Sequence, residues 1–452
     1  MFSKKDIYKI TLPLILQQAL AVTISMVDSV MVSASGEEAV AGVSLIGILD
    51  TVLILMFSSL VTGGTVVITH ALGKGDEDKI RDGVKQTLYV STFTALLVLL
   101  ISKIFGNVLL QTLYGTAEKA VFENAVVYFQ TISYSFPFLA IENSCAAAYR
   151  AMGRTKDSLY VSIIQNLINV VFNAIFIFIC GLGAQGAALG TLVSRFAGMV
   201  IWLFMIHNKR YPAHIDRLFH YRPNWEIIRK ILKIGIPGGF ENCLFQFGRL
   251  LTQSLVSTLG TAAIAANSVA LNLANYQYIP GAAIGNAAVS VVGRAVGAKE
   301  EALAKKYSRT MLLISYSCLW VVNLASLLLC RPLVGMYQLP KASAEIAEFL
   351  LILHSVVGSL IWPIGFFLPH IFRSAGDVKL TAFISPFSVW MFRVLLSYFL
   401  ALDEVSVFGL SLPGLGWNVY GVWCAMFIDW IFRCSFYLPH YIKDKWLRSI
   451  YT

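Results

Sequence analysis

Charged side chains are scarce in this chain: Asp, Glu, Lys and Arg make up 13% of its 452 residues, where soluble globular domains carry roughly 25%. With 57% hydrophobic residues and a mean hydropathy of +0.70, that shortfall excludes a soluble enzyme or a disordered interaction module. Cysteine is sparse too. Cys145, Cys180, Cys243, Cys318, Cys330, Cys424 and Cys434 stand singly in apolar segments, with no CxxC pair. Neither a disulfide framework nor a zinc ribbon is encoded, and these cysteines are expected to be small apolar core residues. His70, His354 and His370 lack HExxH spacing, so a membrane metalloprotease has no support. No small-residue cleavage site follows Met1–Lys5, and the apolar stretch behind it is too long for a signal core; it is expected to remain as a membrane span.

What the chain does have is long apolar blocks. Phe93–Ile101, Val170–Ile179 and Met311–Cys330 sit inside runs of about 20 residues, the length that crosses about 30 Å of hydrocarbon. Twelve spans are predicted, near 9–33, 41–70, 86–106, 121–149, 158–180, 184–207, 230–257, 262–293, 308–330, 344–372, 380–401 and 416–441. Lys and Arg test the arrangement. Of the 35, 27 fall on the side of both termini, among them Lys4, Lys74, Arg154, Arg217 and Lys443. Lys103, Lys119, Arg331 and Lys341 fall on the other side, and Arg195, Arg249, Arg393 and Arg433 lie within spans. The asymmetry predicts cytoplasmic termini, and the compact loops suit the inner (plasma) membrane of a bacterium. It also explains the formal charge of +10 without a nucleic-acid partner.

The two halves repeat. A shift of 224 residues brings Lys9, Ile10 and Pro13 onto Lys233, Ile234 and Pro237, and Val32, Ser33 and Gly36 onto Val256, Ser257 and Gly260. At nearly the same offset Arg150 and Gly153 meet Arg373 and Gly376. Each half holds six spans, so the repeat is parallel, with a pseudo-twofold axis along the membrane normal. The expected organisation is an all-α membrane protein with an N-lobe over 1–207, a basic cytoplasmic linker over 208–229 and a C-lobe over 230–452. Two similar bundles rocking against each other suit a secondary transporter. An intramembrane enzyme would need a nucleophile–base cluster or a metal site, and neither is evident.

Polar residues inside spans carry the functional expectation, because a charge there costs about 2.5–3.5 kcal/mol on insertion scales. Asp28 falls roughly 8 Å below the outer end of the first span. Asn173 in the fifth span and Thr191 in the sixth reach similar depth, and Asn169 lies one turn from Asn173 on the same helical face. Such a group can exchange a proton, or offer oxygens to Na⁺; the alternative is a carboxylate that only ties helices together. In the second half Glu241 and Gln246 are the coupling candidates, with a structural ion pair between Glu241 and Arg249 as the alternative. Asp429 and Arg433 are spaced as an i,i+4 structural pair, with Arg393 a further partner. Asp50, Glu142, Arg195 and His354 are not coupling candidates. Pro13, Pro237, Pro363 and Pro369 mark expected bends.

Several segments together resemble the multidrug and toxic compound extrusion (MATE) transporters, over nearly the whole chain. Met26-Val27-Asp28-Ser29-Val30-Met31 followed by Gly36 is similar to the family's first-helix motif. Ala71-Leu72-Gly73-Lys74-Gly75 and Gly293-Arg294-Ala295-Val296-Gly297 resemble its paired cytoplasmic motifs. Tyr149–Gly153 and Phe372–Gly376 resemble its other repeated pair, and Gly186-Ala187-Ala188 with Thr191 its sixth helix. The resemblance is closest to the bacterial branch with a first-helix Asp. It implies a V-shaped pair of lobes, acting as a monomer among membrane lipids, that exports small cationic or aromatic organic compounds in exchange for H⁺ or Na⁺. No other cofactor is implied. Asp28 matches the coupling carboxylate, Asn169 and Thr191 its cation-site partners, and Pro13 the proline near which the first helix bends. Asn173 stands where many members of this branch carry Asp. Glu241 lies about a turn from the acidic position of another branch, whose tenth-span Asp is missing here. Coupling is therefore expected mainly through Asp28. A flippase for a lipid-linked precursor, whose head group is anionic, is the alternative within the same superfamily, kept open by Arg195 and Arg249 within spans. A major-facilitator transporter is disfavoured because Gly73–Lys85 lacks that family's Asp-Arg-x-Gly-Arg-type signature.

Overall fold

The computed structural model describes residues 2–115, 117–215, 222–407 and 410–450. Arg217 and part of the expected linker lie outside them. The described residues are almost wholly helical. The first half consists of α1 (Lys4–Ser33), α2 (Glu37–Lys74), α3 (Glu77–Tyr114), α4 (Lys119–Ile132), α5 (Phe136–Ala151), α6 (Thr155–Ala174) and α7 (Gly183–Ile206). The second begins with α8 (Trp225–Ser257), α9 (Thr261–Gly297), α10 (Glu301–Leu328), α11 (Cys330–Gly335) and α12 (Lys341–Trp362). It ends with α13 (Leu368–Ser374), α14 (Lys379–Ser388), α15 (Leu396–Ala401) and α16 (Asn418–Ile442). Two short strands, Glu404–Val407 and Leu410–Pro413, pair antiparallel, with Glu404 opposite Pro413.

Among the described residues ten helical segments are long and apolar enough to cross a membrane. The fourth and seventh predicted spans are helical as well, α4 with α5 and α8. The fourth is interrupted by a 3₁₀ turn at Ser133–Ser135, and the seventh starts on the charged run Glu226, Arg229, Lys230 and Lys233. The helices are apolar around most of their circumference, as lipid-facing helices must be. Thr11, Thr23, Thr51, Thr62 and Thr94 satisfy their hydroxyls locally, each donating to the carbonyl four residues earlier.

Helix ends follow from their residues. Ser3 and Asp6 cap α1 reciprocally, Ser3 Oγ accepting from Asp6 N at 3.2 Å and Asp6 Oδ2 from Ser3 N at 2.9 Å. Asp76 caps α3; the Lys79 N–H and ammonium hold its carboxyl below the usual carboxylate range. Gly36 before α2 and Gly260 before α9 adopt φ 100°, ψ 165° and φ 94°, ψ 160°, a region open essentially only to glycine. These residues are 224 apart, so the sequence repeat returns as a repeated backbone turn.

Helix breaks are less regular than a hydropathy profile suggests. Ile175–Ile179, Pro363–Phe367 and Val389–Leu395 are π-helical, and such wide turns bend a helix where the i→i−4 ladder fails. Pro363 opens one of them. Pro369 sits in the first turn of α13, while Pro13 and Pro237 lie inside continuous helix.

The chain divides into two compact units, Met1–Gly239 and Phe240–Thr452, with the division inside α8. The first part of α8 packs on α2 so closely that a Cβ on Gly63 would stand 2.4 Å from the Ile231 carbonyl oxygen. In the first unit α1 packs chiefly on α6, and α6 on α7. In the second, α9 is central, packing on α10, α12 and α13. Its Ala, Gly and Ser residues permit that approach: Cβ atoms on Gly281 and Gly285 would collide with Trp362 and His370.

Candidate functional site

Asp28 lies half-buried five residues before the end of α1, on the part of the helix that faces α6. Its Oδ1 accepts a hydrogen bond from Asn173 Nδ2 at 2.8 Å, and the same nitrogen donates to Asn169 Oδ1 at 3.2 Å. One face of α6 meets α1, and that contact brings Asp28, Asn173 and Asn169 together. Asn173 Oδ1 is buried without a partner among the described residues. Gly190 on α7 makes room for it: a Cβ there would stand 1.9 Å from that oxygen. Thr191 is adjacent in sequence but donates to the Ala187 carbonyl of its own helix at 3.0 Å rather than to the cluster. The Asp28 carboxylate, Asn169 Oδ1 and Asn173 Oδ1 are oxygen donors of the kind a hard monovalent cation takes.

The polar face of α6 extends further than the sequence reading took it. Gln165, Asn169 and Asn173 follow at i, i+4 and i+8, and Gln165 Nε2 donates to Glu142 Oε2 on α5 at 3.0 Å. Their spacing was visible in the sequence; the acid at the far end was not. Arg195 on α7 holds Asp50 at 3.0 Å and donates to Ser135 Oγ at 2.7 Å in the broken fourth span.

In the second unit Glu241 Oε2 accepts from Arg373 Nη2 at 2.7 Å. The partner of Glu241 is therefore Arg373, in the last turn of α13 with its side chain 16% exposed, and not Arg249. The eight-residue spacing put Glu241 and Arg249 on one helix face, but packing offered Glu241 a nearer guanidinium. Gln246 is half-buried, one turn beyond the neighbouring Asn242. Asp429, fully buried, accepts from Arg433 Nε at 2.8 Å and from Ser388 Oγ. Arg393 makes no hydrogen bond to Asp429; its guanidinium lies 5.4 Å from the Phe245 ring centroid. His354, buried, has both ring nitrogens engaged, Nδ1 with Gln277 Oε1 at 2.6 Å and Nε2 with the Tyr278 hydroxyl.

Comparison with known proteins bears on the fold and the repeat. A family model, MatE, matches residues 13–175 and again residues 237–399, two copies at the 224-residue offset of the internal repeat. The uncharacterized transporter YisQ of Bacillus subtilis is 24% identical over 98% of this chain and 92% of its own length. A probable multidrug resistance protein NorM of Thermotoga maritima is 24% identical over 98% of the chain and 93% of its own length. Among solved structures, a MATE protein in the straight conformation superposes with a TM-score of 0.88 at 18% identity, covering 98% of this chain and 97% of that one. A MOP superfamily transporter from Pyrococcus furiosus, described by the reversed polarity of its binding pocket, gives 0.84 at 19% identity, covering 98% and 96%. Matched in both halves, and a multi-pass membrane transporter rather than an enzyme, the chain belongs to the MatE family.

Proposed function

We propose that this protein is a secondary active antiporter that exports organic compounds, cationic or aromatic, in exchange for H⁺ or Na⁺, with coupling through Asp28. The observation that carries the reading is the Asp28–Asn173–Asn169 cluster. A carboxylate inside a membrane-spanning bundle is retained at a cost, and here its hydrogen-bond partner is a neutral amide rather than a cation. The coupling ion is then the group that meets its charge. The Asn173 amide sits between two oxygens with its nitrogen toward both. Half a turn of that amide would present Oδ1 instead, giving three oxygens around one point; protonation of Asp28 would instead remove the charge. Either event changes how α1 is held against α6, and α1 carries Pro13 within it. The protein is placed by this reading in a bacterial plasma membrane as a monomer, with both termini cytoplasmic.

The test is efflux of a fluorescent organic cation from proteoliposomes, wild type against Asp28→Asn, with a pH gradient and a Na⁺ gradient imposed in turn. One gradient should drive wild-type efflux, and Asp28→Asn should bind the dye yet fail to move it. Efflux by the variant at the wild-type rate would make Asp28 structural. Absence of efflux under both gradients would turn the search to lipid-linked substrates.

A further inference from the structure

The second unit holds a cavity of about 190 Å³ whose wall contains two arginines, Arg249 and Arg393, and no carboxylate among the described residues. Arg249 is exposed and Arg393 half-buried. Neither has a carboxylate within ion-pair distance among the described residues. Asp429, which acts electrostatically on Arg393, is committed to Arg433 and Ser388. The same wall is a run of nearly parallel aromatic rings: Tyr278 stacks on Trp362 at 5.3 Å and 13°, and Trp362 on Phe366 at 5.4 Å and 17°. Trp430 closes the run edge-on to Phe366 at 5.6 Å. A neighbouring cavity of about 230 Å³ shares Phe245, Trp362 and Phe366, and its wall adds Glu241, which Arg373 neutralises, and Arg433.

From this juxtaposition we propose that the cavity is a binding site for an organic anion: a flat aromatic or apolar body bearing a carboxylate, sulfonate or phosphate. A guanidinium presents five N–H donors in a fork that a planar anionic group satisfies two at a time. Two guanidiniums of like charge in one protein-lined space repel each other, and an anion between them cancels that repulsion. An organic cation would add a third positive charge, and a purely apolar ligand would strip water from the donors without replacing it. The stacked rings provide the flat surface on which an aromatic body lies. The proposal does not rest on coupling through Asp28, which belongs to the other unit. It assigns this site a ligand opposite in charge to the cations expected of an exporter of this family.

The experiment is calorimetric titration of the purified full chain in phosphatidylcholine nanodiscs with 2-naphthoate, and with 1-naphthylmethylammonium as a probe of similar body and opposite charge. Naphthoate should bind at least tenfold more tightly than the ammonium compound. Arg249→Gln and Arg393→Gln should each weaken naphthoate at least tenfold, and the corresponding Lys variants less. Equal affinity for the two probes in wild type overturns the proposal, and that comparison needs no variant to fold. So does unchanged naphthoate binding in both Gln variants. Repeating the titration in phosphatidylglycerol nanodiscs separates the sources of anion. Loss of naphthoate binding there assigns the site to an anionic headgroup, and retained binding to a soluble anion; both uphold an anion site.

Discussion

Asn173 on α6 donates one side-chain N–H to Asp28 on α1 at 2.8 Å and the other to Asn169, one turn away, at 3.2 Å. A hydrogen bond to a charged group is worth roughly 1.5–3 kcal/mol net. Asn173→Leu removes it and leaves the carboxylate facing an apolar side chain. Gradient-driven efflux in proteoliposomes is expected to fall at least tenfold, with the variant still monodisperse in detergent. Efflux unchanged would mean that coupling does not run through this contact.

Gly190→Ala attacks the same contact from α7. The new methyl would meet Asn173 Oδ1 at 1.9 Å, far inside van der Waals distance, so the amide must leave its place between Asp28 and Asn169. Because both substitutions act on one hydrogen bond, the Gly190→Ala/Asn173→Leu double variant should transport no worse than the poorer single. Additive losses would show that Gly190 acts elsewhere.

Asp429 and Arg433 form a pair with side-chain exposures of 0% and 3%. Removing one partner strands the other charge, at a cost of about 3–5 kcal/mol, whereas replacing both with apolar residues of similar volume is often close to neutral. Arg433→Met should therefore lower the thermal unfolding midpoint sharply, and Asp429→Leu/Arg433→Met should recover most of the loss. A double variant less stable than the single one would argue against a purely structural pair.

Gly36 and Gly260 hold the same glycine-only turn in the two halves. Strained backbone of this kind costs about 1–3 kcal/mol for other residues. Gly36→Ala and Gly260→Ala should each destabilise by that amount. Gly47→Ala serves as the control, since a Cβ there meets nothing within 4 Å and the position is helical. Thermal denaturation followed by size-exclusion recovery separates the three.

Much of this was legible in the sequence because it depends on local repeats. Runs of about 20 apolar residues have few fates other than a membrane span, and a shift of 224 residues exposes the duplication that the backbone repeats at Gly36 and Gly260. The convergence of Asn169 and Asn173 on one face needed only 3.6 residues per turn. Their meeting with Asp28 rested on similar depth in separate spans and on resemblance to a known first-helix motif.

What tertiary structure alone decided was partnership between helices. Glu241 pairs with Arg373, 132 residues away, and not with Arg249 on its own helix. Thr191 bonds its own backbone, Glu142 meets Gln165, and Arg195 ties Asp50 to Ser135. Among the described residues Arg249 and Arg393 are left without a carboxylate in a wall of stacked rings. Periodicity along a helix states which side chains share a face. It carries no information on which other helix that face will meet, and in a bundle whose surfaces are nearly uniformly apolar the choice is made by close packing of small residues and by breaks such as the π turns. Composition and periodicity therefore determined the spans and the repeat, and packing determined which charge each buried polar group met.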